Sequence, residues 1–118
     1  MQSYNSQLNE VLNCQDKIVS LNPTSLKLFR APQGHLSIPL CCRLLLEKWR
    51  IIHWSYDTLD YKHGPLEEQL SVFRKKPITD GDILLFHDDH QLAIDLLEVL
   101  LPKWKNLGYN FATVLDLL

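Results

Sequence analysis

Apolar positions along this chain recur first at helical spacing and then in short unbroken runs, and the two rhythms alternate. Between Ser6 and Leu21 they fall at Leu8, Val11, Leu12, Ile18 and Val19, which predicts an amphipathic helix interrupted by polar turns and ended by Asn22-Pro23-Thr24. Leu26 to Phe29 predicts a short strand, and Arg30-Ala31-Pro32-Gln33-Gly34 follows it at once as a loop. Ser37 stands where a cap would for a helix over Ile38 to Trp49, with Pro39 tolerated in its first turn.

The same grammar returns twice. Ile51 to Tyr56 predicts a strand that ends at Asp57, followed by a polar loop through His63-Gly64-Pro65. Pro65 to Arg74 predicts a helix with Leu66, Leu70 and Phe73 on one face. After the turn Thr79 to Asp82, the run Ile83 to Phe86 predicts a strand, and Gln91 to Leu107 a long helix. Its expected apolar face is Ile94, Leu97, Leu101 and Trp104; Pro102 is expected to kink it and Gly108 to stop it. Tyr109 to Val114 then predicts a closing strand.

Strands alternating with helices imply an α/β fold with a mainly parallel sheet. An apolar run such as Ile83 to Phe86 is expected to be buried on both faces. Chemistry in such folds gathers at the carboxyl ends of strands. Arg30, Asp57 and His87 each follow a predicted strand directly, so the pattern predicts that they converge on one mouth.

Composition narrows the setting. With 118 residues, 46% of them apolar, the chain is sized for one domain spanning 1–118 with a packed core. Trp49 and Trp104, spaced among leucines, are expected in that core. The net charge of −2 says nothing about a polyanionic partner, but Lys and Arg form no extended run, so no nucleic-acid partner is indicated. Three cysteines, Cys14, Cys41 and Cys42, suggest neither a disulfide framework nor a zinc knuckle, and the latter two are expected as small buried hydrophobes. No stretch reaches the ~20 apolar residues of a membrane span. Gln2 to Glu10 is polar where a signal peptide would be apolar, so the default expectation is cytoplasmic, an upstream export signal staying open if the chain is a fragment.

Four segments together carry a resemblance. Phe29-Arg30-Ala31-Pro32-Gln33-Gly34 is similar to an Arg-x-Pro-x-Gly loop. Trp54-Ser55-Tyr56-Asp57-Thr58-Leu59-Asp60-Tyr61 is similar to an Asp-x-x-Asp-Trp segment after a Trp-containing strand, with Tyr61 in place of the Trp. Leu84-Leu85-Phe86-His87-Asp88 is similar to a strand ending in His-Asp, and Gly108-Tyr109-Asn110-Phe111-Ala112-Thr113 to a closing Gly-Tyr-x-Phe-x-Thr. In this order the chain resembles the polysaccharide deacetylases of the NodB-homology type, carbohydrate esterase family four. The resemblance covers nearly the whole sequence and implies the C-terminal half of their irregular (β/α) barrel, about four strands alternating with helices.

The resemblance implies an activity, the metal-dependent removal of N-acetyl groups from a polysaccharide or oligosaccharide. His87 would be the general acid that protonates the departing amine. Asp57 would orient that imidazole, with Asp60 the second candidate. Arg30 would fix the family's base aspartate through a bidentate pair. The backbone N–H of Gln33 would bind the oxyanion, and Leu85 and Trp54 would shape a pocket for the acetyl methyl. The family's divalent ion, zinc or cobalt, is held by two motifs expected upstream of residue 1, which this sequence lacks. The chain alone is therefore expected to bind no metal and to be inactive.

Other readings stay open. His87-Asp88-Asp89-His90 could be a metal site, or a solvated loop in which Asp88 or Asp89 caps the last helix. Asp57 and Asp60 could be turn residues only; His35, His53 and His63 have no motif support and read as loop or strand positions. The chain could be part of an N-deacetylase acting on an N-acetylated glycan, a silent remnant or glycan-binding module, or an unrelated small α/β interaction domain. A half barrel would expose sheet edges and apolar helix faces, which predicts self-association.

Overall fold

In the computed structural model, which describes residues 2–62 and 64–118, the chain forms two compact units, 1–53 and 54–118. Each contains one two-stranded parallel sheet with helices. His63 lies outside the described residues.

The first unit opens with α1, Tyr4–Leu21, capped by the Ser3 hydroxyl, which accepts the Ser6 N–H. The helix is continuous, not interrupted by turns. Strand β1, Leu28–Phe29, pairs with β2, Arg50–Ile51, in the register Leu28↔Arg50 and Phe29↔Ile51. Helix α2, Ile38–Leu46, lies between them in sequence. Leu40, Leu44 and Trp49 are its core, with Leu8, Val11, Phe29, Leu36 and Ile51 packed around them.

Helix α2 stops three residues before Trp49, where apolar spacing alone would carry it. Lys48 adopts a left-handed φ of 63°. Its N–H donates to the Leu45 carbonyl, and the Trp49 N–H donates to that of Leu44 at 2.9 Å. This is a Schellman closure with lysine at the position that usually holds glycine. It turns Trp49 against Leu44 and buries it. Ser37 occupies the N-cap position without capping by its side chain; its hydroxyl donates to Gln7 Oε1 instead.

The second unit begins where the single predicted strand Ile51 to Tyr56 divides. The Ile52 N–H still bonds Phe29, whereas the N–H groups of Ser55 and Tyr56 both reach the Ile83 carbonyl. One run therefore serves two sheets. Strand β3, Tyr56–Asp57, pairs with β4, Leu84–Leu85, in the register Tyr56↔Leu84 and Asp57↔Leu85. The residues of β4 are half-buried, not buried on both faces.

Two helices cover this sheet, α3 (Leu66–Lys75) and α4 (Gln91–Asn106). Their core joins Tyr56, Leu70, Phe73, Ile78, Leu92, Leu96, Leu100 and Trp104. Tyr56 stacks on Phe73 with ring centres 5.3 Å apart, and Phe73 meets Trp104 edge-on. The buried stripe of α4 is Leu92, Ala93, Leu96, Leu100 and Trp104; Ile94, expected inside, is 53% exposed. A leucine-rich helix offers two candidate faces, and the sheet selects between them. Helix α4 continues through Pro102 and ends in a second Schellman closure, with Gly108 at φ 92°.

No strand follows. Residues 109–113 are irregular, and Val114–Leu117 is a 3-10 turn closed by reciprocal bonds between Thr113 and Asp116. The Tyr109 hydroxyl donates to the Ile78 carbonyl, which ties this segment to the core without a strand ladder. The cysteines also differ from expectation: Cys42 is exposed, on the side of α2 opposite Leu40 and Leu44, and Cys41, at the flank of that face, is only half-buried.

Candidate functional site

The second unit carries a tightly built loop at the carboxyl end of β3. Asp57 Oδ1 accepts the Leu59 N–H at 3.0 Å, an Asx turn that starts the loop. Leu59 is left-handed, at φ 57°, a region costly for a leucine. The Lys62 N–H then bonds the Leu59 carbonyl and closes a 3-10 turn over Asp60–Lys62. The result directs the Asp60 side chain inward, where it is 2% exposed.

Asp60 meets His87, two residues past the end of β4. Its Oδ2 accepts the His87 backbone N–H at 2.8 Å, and its Oδ1 lies 2.7 Å from His87 Nδ1. A carboxylate only accepts, so Nδ1 carries the shared proton and Nε2 is the ring atom left for chemistry. The imidazole is partly accessible, with 36% of its side chain exposed. Tyr61 sets its ring edge-on to the imidazole, centres 5.3 Å apart.

The pair is electrostatically matched. The hydrogen bond to Asp60 raises the His87 pKa above its usual value; burial opposes it, and the negative fields of Asp60, Asp89 and Asp57 add to it. For Asp60, burial is the largest influence and pushes the carboxyl up. The His87 backbone N–H, its imidazole and the Thr58 hydroxyl together outweigh that and hold Asp60 below the usual carboxylate range. Such an arrangement keeps an imidazolium available at higher pH than a free histidine would.

The geometry corrects the order of the two aspartates. Asp57 was the expected orienting group, but its carboxylate is turned onto the Leu59 amide, and Asp60 makes both contacts to His87. Helix α4 is capped by neither Asp88 nor Asp89: His90 is its N-cap, its Nδ1 accepting the Leu92 N–H. Leu85 and Trp54 are both half-buried in this unit. In the first unit, Arg30 is exposed just after β1, and Gln33 sits in a tight turn at φ 53°. The Gly34 and His35 amides of that turn are engaged by the Ala31 and Pro32 carbonyls.

Among the described residues no group of three His, Cys, Asp or Glu side chains is placed to hold a metal ion. Both oxygens of Asp60 and Nδ1 of His87 are already committed to each other. These residues therefore do not fit the family's metal.

The motif that contains Thr58 and Leu59 assigns neither of them a role. Neither residue type announces a site, although a hydroxyl residue standing between Asp57 and Asp60 is a signal that points to Thr58.

No protein-family model matches the chain. It is 30% identical over 119 aligned residues to the peptidoglycan-N-acetylglucosamine deacetylase PgdA of Listeria monocytogenes, an alignment covering 98% of this chain and 24% of that protein. Among solved structures, a peptidoglycan N-acetylglucosamine deacetylase superposes with a TM-score of 0.84 at 20% identity, over 96% of this chain and 54% of that one. A pseudoenzyme of carbohydrate esterase family four from Bacillus anthracis superposes with a TM-score of 0.70 at 22% identity, over 84% of this chain and 34% of that one. The chain thus spans about a quarter of the Listeria protein and about half of the first solved structure.

Proposed function

Given that the chain belongs to the polysaccharide deacetylases of the NodB-homology type, we propose that it provides the general-acid side of an N-deacetylase site acting on N-acetylglucosamine units of a glycan such as peptidoglycan. One observation carries the reading: Asp60 holds His87 by both its backbone N–H and its Nδ1, at 2.8 and 2.7 Å. As the carbon–nitrogen bond of the tetrahedral intermediate breaks, the amine nitrogen gains basicity and takes a proton from Nε2. Asp60 stabilises the charged ring beforehand and keeps it oriented. Tyr61 limits the ring's rotation from its edge.

The remaining assignments rest on the family resemblance. Arg30 pairs with the base carboxylate, the Gln33 N–H receives the oxyanion, and Leu85 with Trp54 encloses the acetyl methyl. None of this chain's residues is assigned to activating the water.

A second reading has its own support. It is a chain that engages glycan without cleaving it, a role compatible with the fold that it shares with a pseudoenzyme of carbohydrate esterase family four. A chimera separates the two, with this chain replacing the aligned segment of the Listeria enzyme. Acetate release from N-acetylglucosamine oligomers in the presence of zinc or cobalt, abolished by His87→Ala at unchanged metal content, supports the deacetylase reading. A folded, metal-loaded chimera that releases no acetate supports the silent one.

A further inference from the structure

Thr58 takes no part in the proton transfer described above, yet it stands at the joint of the site. It follows β3 directly and is fully buried, at 0% exposure. Its hydroxyl donates to the Leu85 carbonyl, the last residue of β4, at 2.7 Å. The same hydroxyl lies 3.1 Å from Asp60 Oδ1, the carboxylate atom that faces His87 Nδ1, so its single proton is shared between the nearer Leu85 carbonyl and that carboxylate. The Thr58 backbone N–H approaches the Leu85 carbonyl as well, at 3.4 Å. One side chain thus touches the strand that leads to the imidazole and the carboxylate that holds it.

The neighbouring backbone shows that this joint is under tension. Leu59 keeps its left-handed conformation between two fixed points, its own N–H bound by Asp57 and the Thr58 hydroxyl bound to β4. A strained residue of this kind persists only where its surroundings determine it. Without the hydroxyl, the loop from Thr58 to Asp60 loses its side-chain link to the strand.

We propose that Thr58 is a positioning residue: its hydroxyl ties the Asp60 loop to the end of β4, so that carboxylate and imidazole keep one geometry and the neutral His87 ring keeps its proton on Nδ1. This rests on the reading of His87 as general acid for its purpose, but not for its test. The groups acting on the imidazole are Asp60, Asp57 and Asp89 through their charge and Tyr61 through its ring edge. Substitution at Thr58 leaves all four in the chain, so a change at His87 reports the lost hydroxyl.

The test is nitrogen NMR of the His87 ring in the intact chain. In the parent the neutral ring is expected as the Nδ1-protonated tautomer alone. Thr58→Val is expected to split it between tautomers and to lower its titration midpoint by about half a pH unit, the scale of one weakened hydrogen bond to a charged group. Thr58→Ser, which restores the hydroxyl, is expected to recover both. A folded Thr58→Val with the parent's tautomer and midpoint would overturn the proposal. Should that variant not fold, the parent decides. A Thr58 hydroxyl proton shielded from water and close to the His87 Nδ1 proton supports the role, and one exchanging as fast as a surface hydroxyl overturns it. These readouts are of the ring and not of acetate release, so failure of the deacetylase reading would leave them standing.

Discussion

Asp60 grips His87 at two points, its Oδ2 on the backbone N–H at 2.8 Å and its Oδ1 on Nδ1 at 2.7 Å. The first contact fixes where the residue sits after β4, and the second fixes which way its ring faces. Asp57, at the end of β3, stands a turn earlier in the same loop and spends its carboxylate on the Leu59 amide. Its influence on the imidazole is only through the field of its charge.

Exchange of the two aspartates should therefore have unequal effects. Asp60→Asn is expected to bring the His87 titration midpoint down toward the ordinary histidine value. Asp57→Asn is expected to lower it much less. Proton NMR titration of the ring measures both; equal shifts would contradict the geometry.

Stability should follow the pair's ionisation. Asp60 is depressed in the folded protein, so its contribution is in place above the unfolded carboxyl pKa and is lost as pH falls through the folded value. His87 is raised, so its contribution is complete below the unfolded imidazole pKa and is lost as pH rises through the folded value. The stability difference between parent and Asp60→Asn is thus expected to be largest between about pH 4 and pH 6.5 and smaller on either side. Urea unfolding across pH checks this, and a difference independent of pH would contradict it.

Much of this was legible in the sequence. Four motif segments in order carried the family resemblance, and their residues locate the loop and the histidine. What sequence could not decide were choices made by packing. Asp57 and Asp60 are both loop aspartates after a strand, and only the left-handed turn at Leu59 determines which one points inward. Ile51 to Tyr56 reads as one strand because pairing partners are not encoded locally; its ends pair with β1 and β4 separately. Lys48 carries no glycine signal, so the end of α2 was invisible, whereas Gly108 marked the end of α4 correctly.

The face of α4 offers a direct check. Leu96 is 0% exposed and Ile94 is 53% exposed. Leu96→Ala is expected to destabilise by about 2–5 kcal/mol, a buried leucine truncated into a cavity. Ile94→Ala is expected to change stability by no more than about 0.5 kcal/mol. Denaturant midpoints distinguish them, and the reverse ranking would restore the stripe read from spacing.

The two Schellman closures make a matched pair. Lys48→Gly is expected to stabilise by about 0.5–1 kcal/mol, because glycine relieves the left-handed penalty at φ 63°. Gly108→Ala is expected to destabilise by about 1 kcal/mol at φ 92°, through conformation alone, since a Cβ there meets nothing within 4 Å. Thermal unfolding reads both signs; a destabilised Lys48→Gly would contradict the assigned turn.

The most direct test of the account is the pH dependence of acetate release by the chimera that carries this chain in the Listeria enzyme. A general acid must be protonated to act, so the alkaline fall in rate reports the acid that Asp60 sustains. Asp60→Asn is expected to move that fall to lower pH, and His87→Ala to remove it along with most of the rate. An alkaline limb that stays in place in Asp60→Asn would mean that His87 is not the acid.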